Sequence, residues 1–185
     1  LLLFILGLID AGRFMWTANR AEKATQMGVR FAIVTDIIPA GLVNYNFAAS
    51  GGIPQGNSIP ESSFGGATCT STTNATTAAS VSCSCVTGGN CPSLGTASVT
   101  AFNNILDRMR KFMPELKANQ VKIDYAFSGL GYAGDPNGID VAPLVKVSLQ
   151  NVTFSPGFLP GLGIALPDSS AEATLEDGAG TTTPN

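Results

Sequence analysis

All four cysteines of this chain, Cys69, Cys83, Cys85 and Cys91, fall within one short stretch, and none of its 185 residues is a histidine. These two facts decide most of the available chemistry. Without imidazole there is no Ser-His-Asp or Cys-His pair, and the commonest zinc ligand is missing. The thiols can then form disulfides or a four-sulfur zinc site. Cys83-x-Cys85 lacks the gap of roughly two to four residues found in a zinc knuckle. An even, clustered set in a Ser/Thr-rich setting points instead to two disulfides made in an oxidising compartment. On a strand, Cys83 and Cys85 point the same way and are poorly placed to bond each other, so each is expected to pair with Cys69 or Cys91. The preferred arrangement is Cys69–Cys83 with Cys85–Cys91.

The carboxylates offer little more. Asp124, Asp135 and Asp140 are scattered and read as surface or turn residues. "DPNGID" has the oxygen donors of a calcium loop in Asp135, Asn137 and Asp140, but not the full motif with its closing Glu, so an Asx-Gly turn is the better reading. No catalytic residue, metal or cofactor is expected. The net charge is −3 and only 12% of residues are charged, which leaves no basic patch for nucleic acid. Two Asn-x-Thr sequons, at Asn74 and Asn151, and the Ser/Thr tract around the cysteines are weak signs of glycosylation.

The elements that must position these groups begin with "LLLFILGLIDAGRFMWTANRAEKATQMGVRFAIV". Leu1 to Ile9 is apolar throughout and, as a helix, rises about 14 Å, against roughly 30 Å of hydrocarbon in a bilayer. It cannot span alone. The chain starts without Met, and apolar residues upstream would complete a span. Asp10 and Arg13 share a helix face and can pair. Phe14 and Trp16 stand where an interfacial aromatic belt is expected. Beyond them Asn19, Glu22, Lys23, Gln26 and Arg30 make a polar face. Ala18, Ala21, Ala24, Gly28 and Ala32 make a stripe of small residues that allows close packing on a sheet or another helix. The pattern predicts one helix over 1–38, ended by Pro39 and Gly41.

Residues 41–68 are rich in Gly, Pro, Ser and Asn and read as surface loop with at most a short strand. "VSCSCV" followed by the turn "TGGN" predicts a small hairpin. "SVTAFNNILDRMRKFMPELKANQ" predicts a second helix, with Phe102, Ile105, Leu106, Met109, Phe112 and Met113 inward and Ser98 or Thr100 as cap. "QVKIDYAF" and "LVKVSLQNVTF" alternate as strands. "SPGFLPGLGIALP" reads as a crossing segment, "SAEATLEDG" as a last strand and "AGTTTPN" as a loose tail. Helices followed by strands indicate an α+β fold with an antiparallel sheet and a disulfide-bearing loop. The chain divides into an N-terminal helix, 1–38, and an extracytoplasmic α+β domain, 39–185.

The opening resembles the TadE-like family of tight-adherence pilus proteins. The run Leu1, Leu2, Leu3, the step Asp10–Gly12–Arg13, then Trp16, Asn19, Ala21, Ala24, Gly28 and Arg30–Phe31–Ala32 carry the resemblance. "VSCSCVTGGNC" and "GYAGDPNGIDVAPLVKVSLQNVTFSP" also look like the family's later part. The resemblance implies a type IV pilin-like plan: an apolar N-terminal helix anchors a precursor in the inner membrane and later packs in an extracellular filament. It implies cleavage by a prepilin peptidase ahead of the apolar run. The cleavage-site Gly and the Glu that follows it are absent here, and Asp10 matches the family's second acidic position, so several residues are expected ahead of Leu1.

Two functions compete on this basis. The first is a minor pilin or pilin-like structural subunit of a bacterial cell-surface pilus, assembling through Leu1, Leu2, Leu3, Phe4, Ile5, Leu6, Leu8, Ile9, Asp10, Arg13, Phe14, Trp16, Ala21, Ala24 and Gly28. Its partners would be other pilins or copies of itself, the inner membrane before assembly, the prepilin peptidase and the assembly machinery. The second is a membrane-anchored binding module or tip adhesin, using loops 41–68 and 129–143 as contact surface.

Overall fold

The computed structural model describes residues 1–92, 94–136, 138–158 and 161–176, with Leu3 described in its backbone alone. Helix α1 (Leu2–Ala32) runs unbroken past Gly12 and Gly28. Its 31 residues make a rod about 46 Å long. It stops six residues before the expected Ile38. A β-branched run, Ile33-Val34-Thr35, follows its last turn and disfavours further helix. The freed groups are taken up by the domain: the Ile33 carbonyl accepts from Glu176 N–H at 2.9 Å, and Ile38 N–H donates to the Tyr125 hydroxyl at 3.1 Å. Thr35 Oγ1 closes the end by donating to the Phe31 carbonyl.

The sheet holds five antiparallel strands in the order β2-β1-β3-β4-β7. Strand β1 is Gly66–Thr70, β2 Ser82–Cys85, β3 Val121–Ala126, β4 Leu144–Leu149 and β7 Ser170–Thr174. β3 and β4 alternate as their sequences require: Val121, Ile123, Tyr125, Val145, Val147 and Leu149 are buried, and Lys122, Asp124 and Lys146 take the other face. Helix α1 packs on β4, β7 and α3 (Val99–Arg110). Ser98 caps α3 by accepting from Ala101 N–H, and Phe102, Ile105, Leu106 and Met109 fill the core beneath. Each such fully buried side chain contributes about 1.5–3 kcal/mol. Phe112 is only half-buried because α3 ends at Arg110; Pro114 follows, and a separate 3₁₀ turn (Ala118–Gln120) leads into β3.

Several local readings are corrected. Residues 41–68 include the end of a short helix α2 (Ala40–Val43) and, as the short strand allowed there, the start of β1, a central strand whose Gly-Ala-Thr-Cys-Thr sequence has only its two threonines as strand formers. Strand β2 pairs upstream with β1 rather than across the "TGGN" turn. The predicted long strand from Leu144 to Phe154 breaks at Asn151, whose φ of 55° flips the chain out of the ladder. Phe154 then pairs in a separate two-stranded hairpin, β5 (Thr153–Phe154) with β6 (Ile164–Ala165), whose second strand lies in the expected crossing segment. The tail and Asn137 lie outside the described residues.

Candidate assembly surface

Helix α1 has two halves of opposite character. Ala21, Ala24 and Gly28 are buried on the domain. A Cβ built at Gly28 would lie 2.7 Å from Met109 Cγ and 3.3 Å from Val147 Cγ1. The small-residue stripe therefore seats α1 on its own α3 and β4. Thr25, also buried, donates its hydroxyl back to the Glu22 carbonyl and leaves no unpaired polar group on this face.

Between Leu1 and Trp16 the arrangement inverts. Leu1, Leu2, Phe4, Ile5, Leu8, Ile9, Met15 and Trp16 are exposed, Leu6 and Phe14 are half-buried, and among the described side chains the one buried is Asp10, 6% exposed. Its carboxylate is enclosed by three donors. Asp10 Oδ1 accepts from Gly157 N–H at 3.0 Å and from Arg13 Nη1 at 3.1 Å, and Oδ2 accepts from Phe158 N–H at 3.0 Å. Burial works to raise this carboxyl, but the two backbone N–H groups and the Arg13 guanidinium together outweigh it and hold it below the ordinary carboxylate value. The hairpin is pinned to the helix a second time by Phe154, which meets Phe14 edge to face at 5.7 Å and lies beneath the Arg13 guanidinium, also at 5.7 Å.

An open groove of about 360 Å³ lies between helix and hairpin, lined by Gly7, Ala11, Phe14, Met15, Phe154 and Ile164 among others. One turn further along, Arg20 ties α1 to the end of α3. Its Nε donates to the Phe112 carbonyl at 2.9 Å, its Nη2 to Glu115 at 2.8 Å, and its guanidinium covers the Trp16 ring at 5.1 Å. Sequence reasoning singled out neither Arg20 nor the hairpin donors. Backbone N–H donors carry no side-chain signature, although the absence of any charge from Asn151 to Pro167 marks the segment as unusual.

The cysteines lie at the opposite edge of the sheet. Disulfides join Cys69 to Cys83 and Cys85 to Cys91. The first links directly opposed residues of β1 and β2, with Cα atoms 4.1 Å apart. The second holds the "TGGN" loop against the strand end. All four thiols are thereby consumed, and among the described residues no group of His, Cys, Asp or Glu could hold a metal ion.

The remaining carboxylates do not converge. Asp124 pairs with Lys122 at 3.1 Å and accepts from Thr68 Oγ1 on the outer face of the sheet. Asp140 is buried and organises its loop by accepting from Phe47, Gly134 and Asp135 N–H groups at 2.7–3.0 Å. This draws loops 41–68 and 129–143 together. Gly56 and Ala133 N–H groups donate across to Ala133 and Asn57 carbonyls, and a shallow cleft forms between Asn46, Ile53, Gln55 and Gly134. Among the described residues no helix is long and apolar enough to cross a membrane.

Residues 1–30 match the family model described as TadE-like protein. The matched stretch ends at Arg30, so it includes the exposed apolar run, Asp10, Arg13 and the small-residue stripe but neither the cysteines nor the hairpin. No curated protein and no solved structure matches the chain.

Proposed function

We propose that this chain is a structural subunit, a minor pilin or pilin-like component, of a cell-surface tight-adherence pilus. It acts by packing, without catalysis. The observation that carries this reading is the division of α1. A subunit built on the domain through Ala21, Ala24 and Gly28 presents a helix end on which Leu1, Leu2, Phe4, Ile5, Leu8 and Ile9 stay exposed among the described residues. The match of the same helix to the TadE-like model supports it. In the precursor, the run Leu1 to Ile9 would sit in the inner membrane; in the filament it would pack against neighbouring pilins. The prepilin peptidase and the assembly machinery are the further partners of this reading. Two disulfides suit an extracytoplasmic location.

The test is mass spectrometry of filaments sheared from the cell surface. The expected result is this chain, leaderless, with a mass lowered by the hydrogens of two disulfides. Its absence from sheared filaments and from any complex with the assembly machinery would sink the proposal.

A second reading, a surface binding module or tip adhesin, is favoured by one feature: the two loops expected to make contacts share a cleft organised by Asp140. Substitutions at Gln55 or Ile53 that abolish adhesion while filaments assemble normally would support it.

A further inference from the structure

Resting on the reading of α1 as membrane-inserted before assembly, we propose that hairpin β5–β6 is a second foot of the domain. It beds beside α1 in the boundary between hydrocarbon and headgroups of the same leaflet.

Position comes first. The hairpin is fixed to α1 at Asp10 by its Gly157 and Phe158 N–H groups. Asp10 is the first charged residue after the unbroken apolar run Leu1 to Ile9. A helix whose apolar run lies in hydrocarbon therefore holds the hairpin where that run ends, at the boundary with the headgroups.

Composition agrees with this depth. Residues 151–167 contain no Asp, Glu, Lys or Arg. Phe158, Leu162 and Ile164 are 47%, 51% and 38% exposed although they project from a two-stranded element with little core of its own. Asp10 is the sole acid among residues 1–21, and its oxygens already hold three donors, so no bare carboxylate faces the lipid. Immediately beyond stand Trp16, Arg20, Glu115 and Lys117 around one groove, the aromatic and charged groups suited to the headgroup level. Polarity thus rises in one direction along α1, from Leu1 through the hairpin to the Arg20 level. A graded polarity suits a lipid boundary.

Trp16 is the only tryptophan, so single-Trp reporters can be made in full-length protein carrying Trp16→Phe. Leu8→Trp reports on the helix, Phe158→Trp and Leu162→Trp on the hairpin. Val86→Trp reports on the far end of the sheet, next to Cys85, which pairs across from Ala67 rather than near Leu149. The proteins are reconstituted into phosphatidylethanolamine–phosphatidylglycerol vesicles whose acyl chains are brominated near the carbonyl. Quenching of the Leu8→Trp and both hairpin reporters, with Val86→Trp emission unchanged, is the expected result. Quenching of Leu8→Trp alone overturns the foot and leaves the anchor intact. Loss of quenching at all positions overturns both. Hairpin reporters that are shielded from bromine but form cross-links between copies would assign the surface to a second subunit and also overturn the proposal.

Discussion

Residues 2–16 and 18–32 form one uninterrupted helix, yet they solve opposite problems. The later half buries small side chains and shows charge to solvent, as an amphipathic helix on a domain does. The earlier half exposes its large apolar side chains and buries a carboxylate. The later half gains its stability from van der Waals fit within the chain. The earlier half leaves large apolar side chains exposed among the described residues, and its buried carboxylate serves to hold a hairpin. A continuous backbone can therefore carry a finished interface and an unfinished one a few turns apart, because α-helical hydrogen bonding is complete whatever the side chains face.

The largest effect that would sharpen this contrast lies in the later half. Gly28→Leu places its side chain where Met109 and Val147 already stand. Overpacking of this kind costs about 3 kcal/mol. Thermal unfolding should show a large fall in Tm. An unchanged Tm would mean that α1 does not seat on α3 and β4 as described.

Second comes the earlier half's polar anchor. Asp10→Ala removes the acceptor of Gly157 and Phe158 N–H and strands Arg13. Hydrogen exchange should show those two amides losing protection while β3 and β4 keep theirs. Acid should reproduce the effect. The carboxyl's value in the folded chain is lowered from 3.8, so its pH-linked contribution is complete above 3.8 and is lost as pH falls through the lowered value. Amides that open already at neutral pH, or that stay closed in strong acid, would contradict the latch.

The contrast between the halves was partly legible beforehand. Small residues at helical spacing announced a close-packed face, and the run from Leu1 to Ile9 announced an apolar one. Alternation at Val121, Ile123 and Tyr125 and at Val145 and Val147 gave two sheet strands, because period-two burial is written in side-chain type. The α+β class followed. Three things were hidden for physical reasons. β1 is buried by tertiary pairing that its own composition does not demand. The Asn151 flip depends on one backbone torsion. The hairpin reaches α1 through backbone donors, which every residue but proline possesses.

A smaller effect marks the border between the halves. Arg20→Ala removes one hydrogen bond to the Phe112 carbonyl and one exposed ion pair to Glu115, which is itself half in water. The loss should be about 1 kcal/mol, most of it from the carbonyl bond. Urea unfolding would measure it, and Glu115→Gln should cost distinctly less.

The smallest expected change separates stability from assembly. A Cβ built at Gly12 meets nothing within 4 Å, although Gly12 sits mid-helix beside Asp10 and Arg13. In the isolated chain Gly12→Ala should stabilise α1 by about 0.5–1 kcal/mol, because alanine loses less backbone entropy and keeps the helix geometry. If glycine stands there only by chance, filaments should form as before. If the exposed face of residues 2–16 is where another subunit's helix comes close, even a methyl group would intrude. Gly12→Leu would then block filament formation while leaving Tm near that of the parent chain. The two measurements on one position therefore divide the helix again: Gly28 is a glycine whose reason lies inside the chain, and Gly12 is a glycine whose reason, if it has one, lies outside it.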